Sequence, residues 1–179
     1  AISNATQAQQ SVTVNNLNKP TISKSFSAAT VVKSNQTVTL TITIDNSGNL
    51  TKNLPFNTAA DTPAFGLRDT LPAGLEVAAT PNASTTCVGS TFTPAAGDTT
   101  LLLVGGAVAA GGSCNVKVDL VGTSTGGGYS NSVVNTIDKT TDFANHRGLA
   151  ALNNATASLS INSVLQVTKQ FSPTTVAAG

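Results

Sequence analysis

Hydrophobic and polar residues alternate along most of this chain, and the cleanest stretch is Thr37-Val38-Thr39-Leu40-Thr41-Ile42-Thr43-Ile44. A period of two places Val38, Leu40, Ile42 and Ile44 on one face and threonines on the other, the pattern of a half-buried β-strand rich in β-branched residues. Turn residues follow in Asp45-Asn46-Ser47-Gly48-Asn49, read as a hairpin turn, and similar punctuation recurs at Pro72-Ala73-Gly74, Ala95-Ala96-Gly97-Asp98, Gly111-Gly112-Ser113 and Gly126-Gly127-Gly128. Between these breaks the pattern predicts strands over Gly74 to Ala79, Thr99 to Val104, Asn115 to Val121, Tyr129 to Ile137 and Ala155 to Ser163. About seven short strands without a helical period point to an all-β, antiparallel sandwich of immunoglobulin type. Asp142 to Asn153 is the one stretch that fits either a short helix or a long loop.

Three polar residues break the pattern by sitting where the period demands apolar ones. Lys24 shares parity with Ile22 and Phe26, Asp69 with Leu67 and Leu71, and Asn131 with Tyr129 and Val133. One chemistry accounts for all three: an intramolecular isopeptide bond between Lys24 and Asn131, promoted by Asp69. Burial favours neutral lysine, which has a free lone pair, and a protonated Asp69 able to polarise the carboxamide and pass protons. The product amide carries no charge, so the reaction removes the ammonium that burial opposes. Asn135 has the same parity as Asn131 and is the first substitute; Asn154 is weaker, because Leu159 and Ile161 have the opposite parity. The plain alternative puts Lys24 on an edge strand with its amine in water, Asp69 in a turn cap before Pro72, and Asn131 on a loop hydrogen bond.

The chain also repeats itself. Thr21-Ile22-Ser23-Lys24-Ser25-Phe26-Ser27 returns as Gln166-Val167-Thr168-Lys169-Gln170-Phe171-Ser172, and Asn4-Ala5-Thr6 matches Asn154-Ala155-Thr156. Such self-similarity marks an array. It divides the chain into residues 1–18, the tail strand of a preceding repeat or a donor strand; 19–163, a complete sandwich; and 164–179, the first strand of a following repeat, with Lys169 in the place of Lys24.

Composition narrows the partners. Of 179 residues 9% are charged and the formal net charge is +1, with six Phe, one Tyr and no Trp, so neither a basic stripe nor a stacking platform for nucleic acid is present. The longest apolar runs, Leu101 to Val104 and Ala107 to Ala110, are too short to span a bilayer. No charged-then-apolar leader pattern is found, so a signal peptide, if one exists, has been removed or sits further upstream. Cys114 opens an alternating run and points inward with Val116, Val118 and Leu120, while Cys87 follows a turn-rich stretch. Two cysteines in so uncharged a β chain suit a Cys87–Cys114 disulfide better than a metal site, and with it an exported protein; two free thiols in a cytosolic protein are the alternative.

Several motifs occur in order: Lys24-Ser25-Phe26-Ser27, Thr39-Leu40-Thr41-Ile42, Asp69-Thr70-Leu71-Pro72-Ala73-Gly74-Leu75, Asn82-Ala83-Ser84-Thr85-Thr86-Cys87, Gly111-Gly112-Ser113-Cys114 and Tyr129-Ser130-Asn131. Together they resemble the bacterial conserved-repeat domain, a domain of unknown function found in tandem in large surface proteins, over about Pro20 to Ser163. The resemblance implies an immunoglobulin-like sandwich, export, and a stalk, adhesin or envelope role. Similar surface domains carry Lys–Asn isopeptide bonds with an acidic promoter, which would map to Lys24, Asn131 and Asp69. The chain departs from the pattern with Ala28 where the second copy has Pro173, with extra residues around Asn53 to Pro63, and with the long Ile137 to Leu152 segment.

Other chemistry is poorly supported. His146 is the single histidine and no nucleophile motif surrounds it, so no enzyme activity beyond self-crosslinking is expected. Asp45 to Asn49 lacks the acidic spacing of a calcium loop, and no metal or cofactor is expected. Asn4, Asn35, Asn49, Asn82 and Asn154 open Asn-x-Ser/Thr triplets. The leading expectation is a structural, tension-bearing repeat of an extracellular stalk, adhesin or filament. Its partners are adjacent copies, joined either in one polypeptide or as separate subunits through a donated strand near Gln10 to Asn16 or Leu165 to Phe171. The competing expectation is a carbohydrate or host-surface binding module that uses the loops at Asn53 to Phe65 and Ile137 to Leu152.

Overall fold

The structure is a computed structural model that describes residues 17–33, 36–124 and 128–163, with Lys169 besides. Expectations that fall on residues 1–16 and on most of 164–179, namely both flanking strands and the Asn4 triplet, lie outside the described residues.

Twelve strands form, and no helix occurs among the described residues. The larger sheet holds β1 (Thr21–Phe26), β3 (Thr37–Asp45), β10 (Ser113–Gly122) and β6 (Leu75–Val77) in the order β1-β3-β10-β6, with β7 (Ser84–Thr85) also pairing with β10. The smaller sheet runs β11 (Ser130–Ile137), β12 (Ala155–Asn162), β2 (Thr30–Val32). Two ribbons complete the fold: β4 (Leu54–Pro55) with β9 (Ala107–Val108), and β5 (Leu67–Thr70) with β8 (Thr100–Leu103). The sheets pack around one core as a β-sandwich, as the alternation predicts. One pairing departs from the antiparallel expectation: β2 lies parallel to β12, with Val31 opposite Ile161.

The alternation of β3 is carried out residue by residue. Val38, Leu40, Ile42 and Ile44 are all buried, as are Cys114, Val116, Val118 and Leu120 on β10 beside it. Full burial of each such aliphatic side chain stabilises by roughly 1.5–3 kcal/mol, which fixes the register because a one-residue slip would expose the whole row. On the opposite face the threonines make cross-strand bonds: Thr39 Oγ1 donates to Asp119 Oδ1 at 2.6 Å and Thr43 Oγ1 to Asn115 Oδ1 at 2.7 Å. The layers close tightly at Gly122 of β10, where a Cβ would stand 2.6 Å from Ile161 Cγ2 of β12.

One expectation is corrected. Asp45 to Asn49 does not make a hairpin, since β3 pairs with β1 and β10 while the next strand, β4, pairs with β9. Its amides instead lock a chain exit: Asn46 Nδ2 donates to Lys52 O and Ala109 O, and Asn49 Nδ2 to Asn18 O. For residues 142–153, which fit either a short helix or a long loop, the loop is what forms. This segment earns its order from tertiary contacts. Arg68 N donates to Asp142 O, Ala144 N to Gly66 O, and Asn145 Nδ2 to Leu149 O.

Candidate functional site

Three strands from separate parts of the sandwich converge on one buried polar cluster. On β1, Ile22 and Lys24 face inward between exposed Thr21, Ser23 and Ser25, and Lys24 sits opposite Ile42 of β3. On β5, Leu67 and Asp69 are buried while Arg68 turns outward to Asp142, its Nη2 lying 2.7 Å from Oδ1. On β11, Val133, Asn135 and Ile137 are buried in alternation with exposed neighbours. Parity thus turns one polar group from each strand into the same interior.

The geometry centres on a single carboxylate oxygen. Lys24 Nζ lies 2.7 Å from Asp69 Oδ2, and Asn135 Nδ2 donates to the same oxygen at 3.2 Å. The side chains of Lys24 and Asp69 are 0% and 1% exposed. The lysine approach is short, but its angles fall outside hydrogen-bond geometry. Among the described residues, the buried side-chain atoms without a hydrogen-bond partner are Lys24 Nζ, Asp69 Oδ1 and Asn135 Oδ1, all members of this cluster. Leaving such groups unsatisfied is expensive, at about 1–3 kcal/mol for each neutral one.

Electrostatics favours the uncharged forms. Burial pushes the Lys24 ammonium below the ordinary lysine range, against the opposing pull of Asp69. Burial likewise raises the Asp69 carboxyl, against the opposing charge of Lys24 beside it and the hydrogen bond from Asn135. Passing a proton from the amine to the acid satisfies both tendencies at once.

Lys24 and Asp69 therefore meet as their parity predicts, but Asn131 does not join them. It is half-buried near the start of β11, opposite Ile161, and Asn135 takes its place. The inward face of β11 deepens only from Val133 onward, and Tyr129, expected to point inward, is 76% exposed. Asn154 is exposed and accepts from Lys139 N through Oδ1. The alternative in which the lysine amine reaches water is set aside by its full burial. Lys169 is exposed.

Apart from this cluster, the Cys87–Cys114 disulfide joins the segment after β7 to the start of β10 with Cα atoms 4.9 Å apart. Both cysteines belong to the core. Neither of the two inserted loops that a carbohydrate reading would use offers a stacking ring: Phe56, Phe65 and Phe143 are all buried, and Phe56 meets Phe143 edge-on. These loops line a cleft of about 310 Å³. Its amides are spent within the fold, Asn57 Nδ2 donating to Pro63 O and Asn145 Oδ1 accepting from Arg147 N and Leu149 N. The described residues hold no group of three or more His, Cys, Asp or Glu that could bind a metal ion, and no helix among them is long and apolar enough to cross a membrane.

No curated protein matches this chain. A family model described as a domain of unknown function, DUF7933, matches residues 20–161, a span that contains all three members of the buried cluster and both cysteines. The chain is a member of that family.

Proposed function

We propose that this domain is a structural, tension-bearing module of an extracellular stalk, adhesin or filament, closed by its disulfide and by an isopeptide bond between Lys24 and Asn135. The supporting observation is that one oxygen of Asp69 touches both the nitrogen that would attack and the nitrogen that would leave.

The chemistry balances without a cofactor. Lys24 Nζ gives a proton to Asp69 Oδ2 and, as a free amine, attacks Asn135 Cγ. Asp69 passes that proton to Nδ2, the Cγ–Nδ2 bond breaks and ammonia departs, and the second proton that Nζ loses on becoming an amide returns to Asp69, which is left as the neutral acid. Amine plus carboxamide become a secondary amide plus ammonia, with no oxidant, reductant or water consumed. A carboxyl within reach of both nitrogens meets the geometric requirement for general acid–base catalysis, and holding the partners together replaces a bimolecular step with an intramolecular one. The two sheets would then be joined by a bond between an early strand and a late one. Export agrees with the disulfide, and repetition in tandem agrees with the return of the β1 sequence around Lys169.

Intact mass tests the bond. The wild-type chain should weigh one ammonia less than its sequence requires in reductant, and two hydrogens less again without it, where the Cys87–Cys114 disulfide is intact. Asn135→Ala and Asp69→Ala should keep the full mass of their sequences, whereas Asn131→Ala should still lose the ammonia. A full, unmodified wild-type mass removes the proposal.

A further inference from the structure

The strand that carries the attacking lysine is also the one most easily exchanged. β1 lies at the end of the larger sheet and pairs within it with β3 alone. Besides its inward side chains, its course is held by Leu152 N donating to Pro20 O, Asn153 Nδ2 to Ile22 O, and a reciprocal pair with β3 in which Ser27 N donates to Thr39 O and Ser27 Oγ accepts from Thr39 N, an oxygen that Ser172 keeps in the second copy. Another sequence with the same inward residues can make all of these bonds.

Such a sequence is present in the chain itself. Across Gln166 to Phe171 the inward positions of β1 are kept, with Val167 for Ile22, Lys169 for Lys24 and Phe171 for Phe26. Apart from the one-methylene change of Ile22 to Val167, the differences fall at Thr21, Ser23 and Ser25, replaced by Gln166, Thr168 and Gln170, and those three β1 positions are exposed. The copy therefore varies where side chains meet water and conserves what must fit against Ile42 and reach Asp69.

We propose that Gln166–Phe171 of a second copy of this chain pairs with β3 in place of β1 and delivers Lys169 to Asp69. The same transamidation then joins Lys169 Nζ of one chain to Asn135 Cγ of the next and releases one ammonia per junction. The product is a head-to-tail covalent oligomer, and it rests on the Lys–Asn reaction proposed above. Strand addition to a sheet edge supplies the recognition and the cluster supplies the chemistry. In the wild-type chain Lys24 has the advantage, because a tethered group competes at an effective concentration on the order of millimolar. Exchange is thus expected where Lys24 is missing or its strand has not yet docked.

The experiment refolds the full-length Lys24→Met chain at high concentration and examines it by denaturing gel and mass spectrometry. Methionine keeps an unbranched stem and removes the amine. A ladder of covalent species is expected, each junction lighter by one ammonia and mapped by fragmentation to Lys169–Asn135, with no ladder for wild type. Lys24→Met combined with Lys169→Ala should remain monomeric. Absence of the ladder while the wild-type chain has lost its own ammonia overturns strand exchange and leaves the intramolecular bond standing. Absence of both removes both proposals, and a ladder that survives Lys169→Ala overturns the assignment of the nucleophile. Circular dichroism confirms folding, and Lys24→Gln serves in the same test if the methionine variant does not fold.

Discussion

Asn131 and Asn135 show what parity can and cannot specify. Both face the same side of β11, and alternation alone does not rank them. What separates them is depth: Asn135 is 1% exposed between Val133 and Ile137, whereas Asn131 stands near the strand's outer end. Depth depends on where the partner strands cross, and neither crossing is written in local sequence. Lys24 and Asp69 were legible because apolar neighbours two positions away pin their faces. Other polar residues carry local roles. The exposed Asp61 carboxyl accepts from Thr58 N and Thr58 Oγ1 and lies 2.8 Å from His146 Nε2. Led by the His146 contact, these partners lower its pKa to about 2. A lowered carboxylate pKa contributes stability above the ordinary value, and that contribution is lost as pH falls through about 2. Carbon-detected NMR should show Asp61 titrating near this lower value, and His146→Ala should move the midpoint back toward an ordinary aspartate.

Strands with strict alternation were the most legible elements. The predicted spans for β3, β8, β10, β11 and β12 agree with the observed ones to within about two residues at either end, because a single buried face determines each. Short strands such as β4, β7 and β9 have only two residues each and no readable period. The 142–153 loop was ambiguous for a related reason. Its apolar residues serve tertiary contacts: Phe143 bridges to Leu67, and Ala151 N donates to Lys139 O. The disulfide acts at this scale, closing the segment from Cys87 to Cys114 that holds β8 and β9. Replacing both cysteines by alanine should cost roughly 3–4 kcal/mol of unfolding free energy on the chain-entropy account. Urea denaturation with and without reductant measures it, and a wild-type midpoint that does not move on reduction contradicts the estimate.

At the scale of the whole molecule the disulfide would be nested inside the proposed isopeptide bond. The Cys87–Cys114 segment falls entirely between Lys24 and Asn135, so a module joined at those two residues transmits tension past the disulfide. Single-molecule stretching between the termini should then give the same short extension from wild type in oxidising and reducing solution. In Asn135→Ala, reduction should add the length of the enclosed segment, about 3.3–3.6 Å for each residue freed. An oxidation-dependent extension of the wild-type chain would contradict this ordering. The sandwich architecture was readable from period alone, and so was the nesting, because Lys24 to Asn131 encloses the same Cys87–Cys114 segment as Lys24 to Asn135.

The position of the proposed join also bears on damage. Most of the turns and loops of the sandwich, including those around Thr58, Ser90 and Gly105, fall between Lys24 and Asn135. With the bond in place, a protease that cuts any one of them breaks the backbone without parting the two ends, because the covalent path runs from Lys24 directly into β11. A string of such modules would keep its continuity through many single cleavages, and a nicked molecule would come apart only where the chain runs outside the bridged span.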